Sequence, residues 1–153
     1  MNVGSDWFDD IAKSLNAHRD ALGREEARRH KLGMLLRVAR RIDEFSADCS
    51  ECHALQPEVT TLSEALKRAP LTKEKRRKHV KAIQRIVGHL RKKHRLTYEG
   101  QHVGLGMSLG AGIGVAIGAG LDNVAIGLPI GVGIGLALGA GMDAKARKEG
   151  KVI

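Results

Sequence analysis

Apolar residues recur at three- and four-residue spacing through the first two-thirds of the chain, and this periodicity predicts four helices. The first begins at a Ser5 cap and carries Trp7, Phe8, Ile11 and Leu15 on one face. A longer one covers roughly 24–52, with the stripe Leu35, Val38, Ile42, Phe45, Cys49 and Cys52. A third, roughly 57–69, starts near Pro57, shows Val59, Leu62 and Leu66, and ends at Pro70. Thr72 caps a fourth over about 73–94, with Val80, Ile83, Val87 and Leu90 inward. Short connections make successive helices antiparallel neighbours. The expected fold is therefore all-α.

The pattern changes at residue 103. Two uncharged stretches, 103–121 and 124–141, flank the polar pair Asp122-Asn123, and each approaches the ~20 residues a helix needs to cross a bilayer. They form an internal repeat: GAGIGVAIGAGLD (110–122) matches GVGIGLALGAGMD (131–143) at 9 of 13 positions. Small residues fall every four positions in two rows. One row runs Gly106, Gly110, Gly114, Gly118, continued by Gly127, Gly131, Gly135, Gly139. The other runs Gly104, Ser108, Gly112, Ala116, Gly120, continued by Ala125, Gly133, Ala137 and Gly141, with Pro129 interrupting it. Together the rows also alternate with larger residues, a β pattern of period two. Length decides for helix, because strands usually run about 5–6 residues and a lone hairpin of strands would leave backbone edges unpaired in hydrocarbon. Helices with small residues every four positions can approach closely enough for backbone-to-backbone dispersion. One row is free for a neighbouring protomer, so a homo-oligomer is expected.

The segment from Gly104 to Ile153 resembles the glycine-zipper helical hairpins of small bacterial membrane proteins, a largely uncharacterised group. The resemblance implies membrane location and oligomerisation, and no activity. Charge then sets the orientation. The region before the hairpin is basic, and the tail carries Lys145, Arg147, Lys148 and Lys151, whereas the turn has only Asp122. Positive ends stay inside, so both termini are expected in the cytosol of a multi-pass inner-membrane protein. The start, MNVGSDWFDDIAKSL, is acidic and lacks a continuous apolar core, so it is expected to be neither secretory nor transit peptide. The expected divisions are 1–23 (N-terminal helix and linker), 24–97 (basic helical bundle), 98–102 (linker), 103–141 (membrane hairpin) and 142–153 (basic tail).

Chemistry enters at two places. Cys49-x2-Cys52 and His89-x4-His94 each have zinc-ligand spacing, and antiparallel helices would bring the pairs together as a closed four-coordinate structural site. The 36-residue gap is long for such a site, and His89 and His94 point about 140° apart on a regular helix given ~100° per residue. The last turn must then tighten, or His53 must substitute. The competing readings are two small buried cysteines with surface histidines, or a redox pair. Cys-Ser-Glu-Cys-His also matches a haem attachment motif, which requires an export route that the N-terminus does not suggest.

The second place is a basic run. Residues 73–95 hold 11 basic residues against Glu74 alone, in a chain with 26 Lys+Arg, 17 Asp+Glu and net charge +9. Beside a membrane each such cation is worth about 1 kcal/mol against anionic lipid. Lys75, Arg76, Arg77, Lys78, Arg91, Lys92 and Lys93 are thus expected to contact lipid headgroups. Nucleic acid is the rival partner, but the four aromatic residues are scattered and form no stacking platform. No phosphate loop ending in Gly-Lys-Ser/Thr occurs, and Ser108, the sole hydroxyl within 103–141, has no base near it in that stretch. The expected function is accordingly a non-enzymatic oligomeric membrane protein with a cytosolic interaction domain and an unidentified cytosolic partner. A holin-like pore former and a nucleic-acid-binding module with a self-assembling tail are the alternatives.

Overall fold

A computed structural model describes residues 6–67 and 71–153. Ser5 and Pro70, read above as a helix cap and a helix end, lie outside the described residues. The described residues form seven helices: α1 (Asp6–Leu22), α2 (Arg24–Arg29), α3 (Leu32–Phe45), α4 (Ser50–Lys67), α5 (Lys73–His94), α6 (Gln101–Gly120) and α7 (Val124–Lys148). They divide into two compact units, Met1–His94 and Arg95–Ile153.

In the first unit α3 packs against α1, α4 and α5. Its buried stripe is Leu35, Val38, Ala39 and Ile42, facing Val59 and Leu66 of α4 and Ile83, Ile86, Val87 and Leu90 of α5. Ile11 and Leu15 of α1 close the core. Trp7 adds a polar tie, its indole N–H donating to Thr60 Oγ1 at 2.9 Å. Each fully buried aliphatic side chain contributes about 1.5–3 kcal/mol.

The helix expected over 24–52 is instead three pieces. Lys31 adopts a left-handed conformation (φ 56°) that ends α2 and redirects the chain. That conformation costs a non-glycine residue about 1–2 kcal/mol, and the redirection buries both flanking residues, His30 and Leu32. A second break follows Phe45. Ser46 Oγ donates to the Asp43 carbonyl at 2.8 Å, and Cys49 N donates to Phe45 O at 2.9 Å, closing a turn before α4. Side-chain competition of this kind is why Ser and Asp favour turns over helix interiors.

Helix α4 in turn starts at Ser50 and not near Pro57, which sits inside it. The proline removes one helix hydrogen bond, at a cost of about 3 kcal/mol. Buried Cys52 before it and Val59 after it belong to one packed face, and that packing keeps the helix continuous.

The second unit is built on opposite terms. Helices α6 and α7 run antiparallel with Gly106, Gly110 and Gly114 set against Gly135, Gly131 and Gly127. The turn between them carries Asp122 in a left-handed conformation (φ 51°). Below the pair, Thr97 bridges Val152: Thr97 N donates to Lys151 O at 2.8 Å and Ile153 N to Thr97 O at 2.9 Å. Leu96 and Ile153 are buried there.

Candidate metal centre and apolar helix pair

The turn after Phe45 places Cys49 immediately before α4 and Cys52 in its first turn, both buried and both free thiols. Helix α5 brings His89 and His94 to the same point. Cys52 Sγ lies 3.3 Å from Nε2 of His89 and 3.3 Å from Nε2 of His94, and Cys49 Sγ lies 3.7 Å from His89 Nε2. All four donor atoms fall within 4.8 Å of one another. A tetrahedral zinc with Zn–S near 2.3 Å and Zn–N near 2.0–2.1 Å has S···N edges of about 3.6 Å. The cluster is compatible with such a site in donor type, count and spacing.

Neither a tightened last turn nor a substitute ligand is needed. Helix α5 stays helical to His94, and the two imidazoles reach Cys52 from either side. His53 is exposed and outside the cluster. Two flanking groups hold the imidazoles. Nδ1 of His89 lies 2.7 Å from the Glu51 carboxylate. An Nδ1–H donated to that carboxylate leaves the Nε2 lone pair facing the thiols, which is the tautomer a metal requires. The His94 ring stacks on Phe45, centroids 4.0 Å apart and planes 16° apart. Burial, with the Cys49 thiol beside it, pushes the Cys52 thiol up to about 12. A bound dication reverses that preference, because thiolate coordination displaces the proton.

Neither Glu51 nor Phe45 was singled out from spacing as a support of the site. Glu51 sits between the cysteines, and the Cys-x-Glu-Cys order is the signal that could have found it.

The helix pair carries the other candidate chemistry. A Cβ on any of Gly106, Gly110, Gly114, Gly118, Gly127, Gly131, Gly135 or Gly139 would fall within 3.0 Å of backbone on the facing segment. At the second row's Gly104, Gly112, Gly120, Gly133 and Gly141 a Cβ meets nothing within 4 Å. The first row is therefore the contact and the second faces outward. So do the large residues: Leu105, Leu109, Ile113, Leu138 and Met142 are each more than half exposed. Both helices are long and apolar enough to cross a membrane.

At the base of the pair, Asp143 is buried and caps α6. Its carboxylate accepts from the His102 and Val103 backbone N–H groups at 3.1 Å each and lies 2.7 Å from His102 Nδ1. Asp122, its counterpart in the repeat, is exposed at the turn.

The seven cations expected to meet lipid do not form one patch. Lys75, Arg76, Arg77 and Lys78 lie in the first turns of α5, and Arg91, Lys92 and Lys93 in its last turn. At 1.5 Å per residue the groups are separated by about 20 Å or more. All are exposed except half-buried Arg76, and Lys78 pairs with Glu74 at 2.9 Å. Comparison of the chain with protein-family models, with curated proteins and with solved structures finds no match.

Proposed function

We propose that this chain is a non-enzymatic, oligomeric protein of the bacterial cytoplasmic membrane, with α6 and α7 as its spanning glycine-zipper hairpin and the first unit as a zinc-stapled cytosolic domain. The observation that carries the reading is the inverted distribution of side chains in the helix pair. Glycine is inside, and leucine, isoleucine and methionine are outside. Water would penalise that arrangement twice. Soluble monomers rarely expose contiguous apolar patches beyond a few hundred Å², and each helical glycine costs about 0.8–1.0 kcal/mol relative to alanine. Lipid removes both penalties: it solvates the outer side chains, and it leaves the helix as the only way to satisfy the backbone.

The outward second row supports self-association, because a further copy can approach its backbone as closely as α6 approaches α7. The basic residues at both ends of the hairpin place the termini on the cytosolic side, where the α5 cations meet anionic headgroups. Reduced thiols suit that compartment and a structural zinc. A pore is the weaker reading. The outward faces carry one hydroxyl, Ser108, and its Oγ already donates to the Gly104 carbonyl at 2.9 Å.

Alkaline carbonate extraction with flotation tests the spanning hairpin: the protein should stay with the membrane, and release into the wash would overturn the reading. Metal analysis of the purified protein should give near one zinc per chain, lost in Cys49→Ser. Protein prepared with zinc present throughout that still carries none would remove the stapled domain. Vesicles loaded with the protein should retain their ions, and leakage abolished by Gly110→Leu would establish the pore instead.

A further inference from the structure

Away from the metal cluster, the first unit holds a concavity of about 810 Å³, where the end of α1, one face of α2 and the start of α3 meet. Arg19, Arg24, Arg28, Lys31 and Arg37 line it with one carboxylate, Asp20, which pairs with Arg19 at 3.6 Å. The acidic residues of α2 do not neutralise these cations. Glu25 and Glu26 are taken by Arg29 at 2.8 and 3.1 Å, and Glu26 also lies 3.3 Å from buried His30. Among the described residues no ion pair engages Arg24, Arg28 or Lys31. Within α2 the carboxylates are thus committed to Arg29 of their own helix, while Arg24 and Arg28 line the cavity.

Two backbone features shape the space. Left-handed Lys31 puts a cation on the wall at a conformational cost that a glycine there would avoid. Gly33, also in the lining, has nothing within 4 Å of where its Cβ would stand, so the cavity extends up to the α3 backbone. Ala27 and Met34 supply an apolar floor. A concavity of this size is in the range that small-molecule and cofactor sites occupy, about 300–1,000 Å³. Four of its five cations are arginines, whose planar fork matches phosphate oxygens bidentately.

We propose that this cavity is a binding site for a phosphate-bearing ligand, its phosphate oxygens held by Arg24, Arg28 and Lys31. Arg24, Arg28 and Lys31 together exceed what a single carboxylate ligand would balance, and a phosphomonoester or diphosphate group carries the multiple charge that complements them. The same chemistry is offered by a free phosphorylated small molecule and by a phospholipid headgroup. The site does not depend on whether α6 and α7 span a membrane.

Inorganic pyrophosphate is titrated by calorimetry into the full chain with its zinc, in mild nonionic detergent, or in plain buffer if the chain proves soluble. Saturable binding at one site per chain is expected. Arg24→Gln and Arg28→Gln should each weaken it by about tenfold or more, the usual loss for a charge-assisted hydrogen bond. Gly33→Leu puts a side chain into the space without removing charge, its Cβ meeting nothing within 4 Å, and should weaken it by a similar factor. Lys13→Gln, at an exposed lysine of α1 outside the lining, should leave it unchanged. Absence of saturable binding, binding unaffected by Gly33→Leu in a folded variant, or an equal loss in Lys13→Gln would each overturn the site. Repeating the titration in phosphatidylcholine and phosphatidylglycerol nanodiscs separates the sources. Affinity lowered in the anionic discs marks the headgroup as the occupant, and equal affinity marks a soluble phosphate.

Discussion

The two units solve the problem of holding helices together by opposite means. The first buries large side chains, with Leu35, Ile42, Leu66, Ile86 and Leu90 almost completely enclosed, and turns its charges outward. The second buries glycine and turns its leucines outward. In the first, stability scales with the apolar area removed from water. In the second the contact is backbone on backbone, so it depends on the absence of side chains. A core of the first kind loses stability when a residue is made smaller, and a contact of the second kind when one is made larger.

That contrast is broken or sharpened most directly by Gly131→Leu. Any side chain there must occupy the space of the Gly110 carbonyl and the Gly114 backbone. Backbone cannot swing aside as a side chain can, so a loss of at least about 3 kcal/mol in the α6–α7 contact is expected. At Gly112 on the outward row a Cβ meets nothing within 4 Å, and the effect of Gly112→Leu on the pair should stay within about 0.5 kcal/mol. It should instead abolish self-association. Thermal denaturation in detergent reads the first effect and sizing in detergent the second. Equal damage from both would show that the rows are not distinct.

Metal should act on the first unit alone. A ligand that binds only the folded state adds about 4 kcal/mol at a thousandfold excess over its Kd. Chelation, or Cys52→Ser, should therefore lower the melting transition of the first unit and leave the helicity of α6 and α7 in place. Loss of both together would contradict two independently stabilised units.

Glu51→Gln tests a smaller effect at the same site. The side chain is two-thirds exposed and contributes little to packing, yet its carboxylate lies 2.7 Å from His89 Nδ1, where it favours the Nδ1–H tautomer. Zinc affinity should fall about tenfold, the low end for a lost carboxylate behind a histidine ligand, with the metal-free melting temperature unchanged. A melting shift without an affinity change would make Glu51 merely structural.

The smallest expected effect is a pH dependence. Burial holds buried His79 below the ordinary imidazole range, outweighing a contact with the His30 backbone that acts the other way. Above the unfolded value both states are neutral and nothing changes. As pH falls through 6.5, the unfolded chain gains a proton that the folded one resists, so stability declines with acidification. In the metal-free first unit His79 should contribute at most one proton to the slope of stability loss between pH 7 and 5, a contribution absent in His79→Leu. Denaturant titrations across that range measure the slope.

The glycine contact was the most legible feature, because a row repeated every four positions is a local pattern that survives any tertiary arrangement. Which of the two rows makes the contact was not legible: both satisfy the same spacing. The turn shows the outcome: Asn123 N donates to Gly118 O at 2.7 Å, and Gly118 stands against the Val124 backbone, so the row of Gly118 faces α7. The metal cluster was legible in its four donors and not in its geometry. A helix drawn straight through Ser46–Asp48 put the cysteines on the wrong element, and projecting α5 as a wheel ignored the reach of two imidazoles.

What composition and spacing determined by themselves was the division of the chain: amphipathic helices with donors at metal-ligand spacing, then a repeated apolar pair. These are one-dimensional properties, readable because helix geometry maps sequence distance onto angle and rise. What only the tertiary structure decided were relations between residues far apart in sequence. Glu51 lies behind His89, Phe45 under His94, Asp143 on the first turn of α6, and Arg19 near Lys31 around one cavity. The physical reason is the same each time. A left-handed Lys31 and a four-residue turn before Ser50 are settled by what they allow to be buried on either side, and no local signal encodes that.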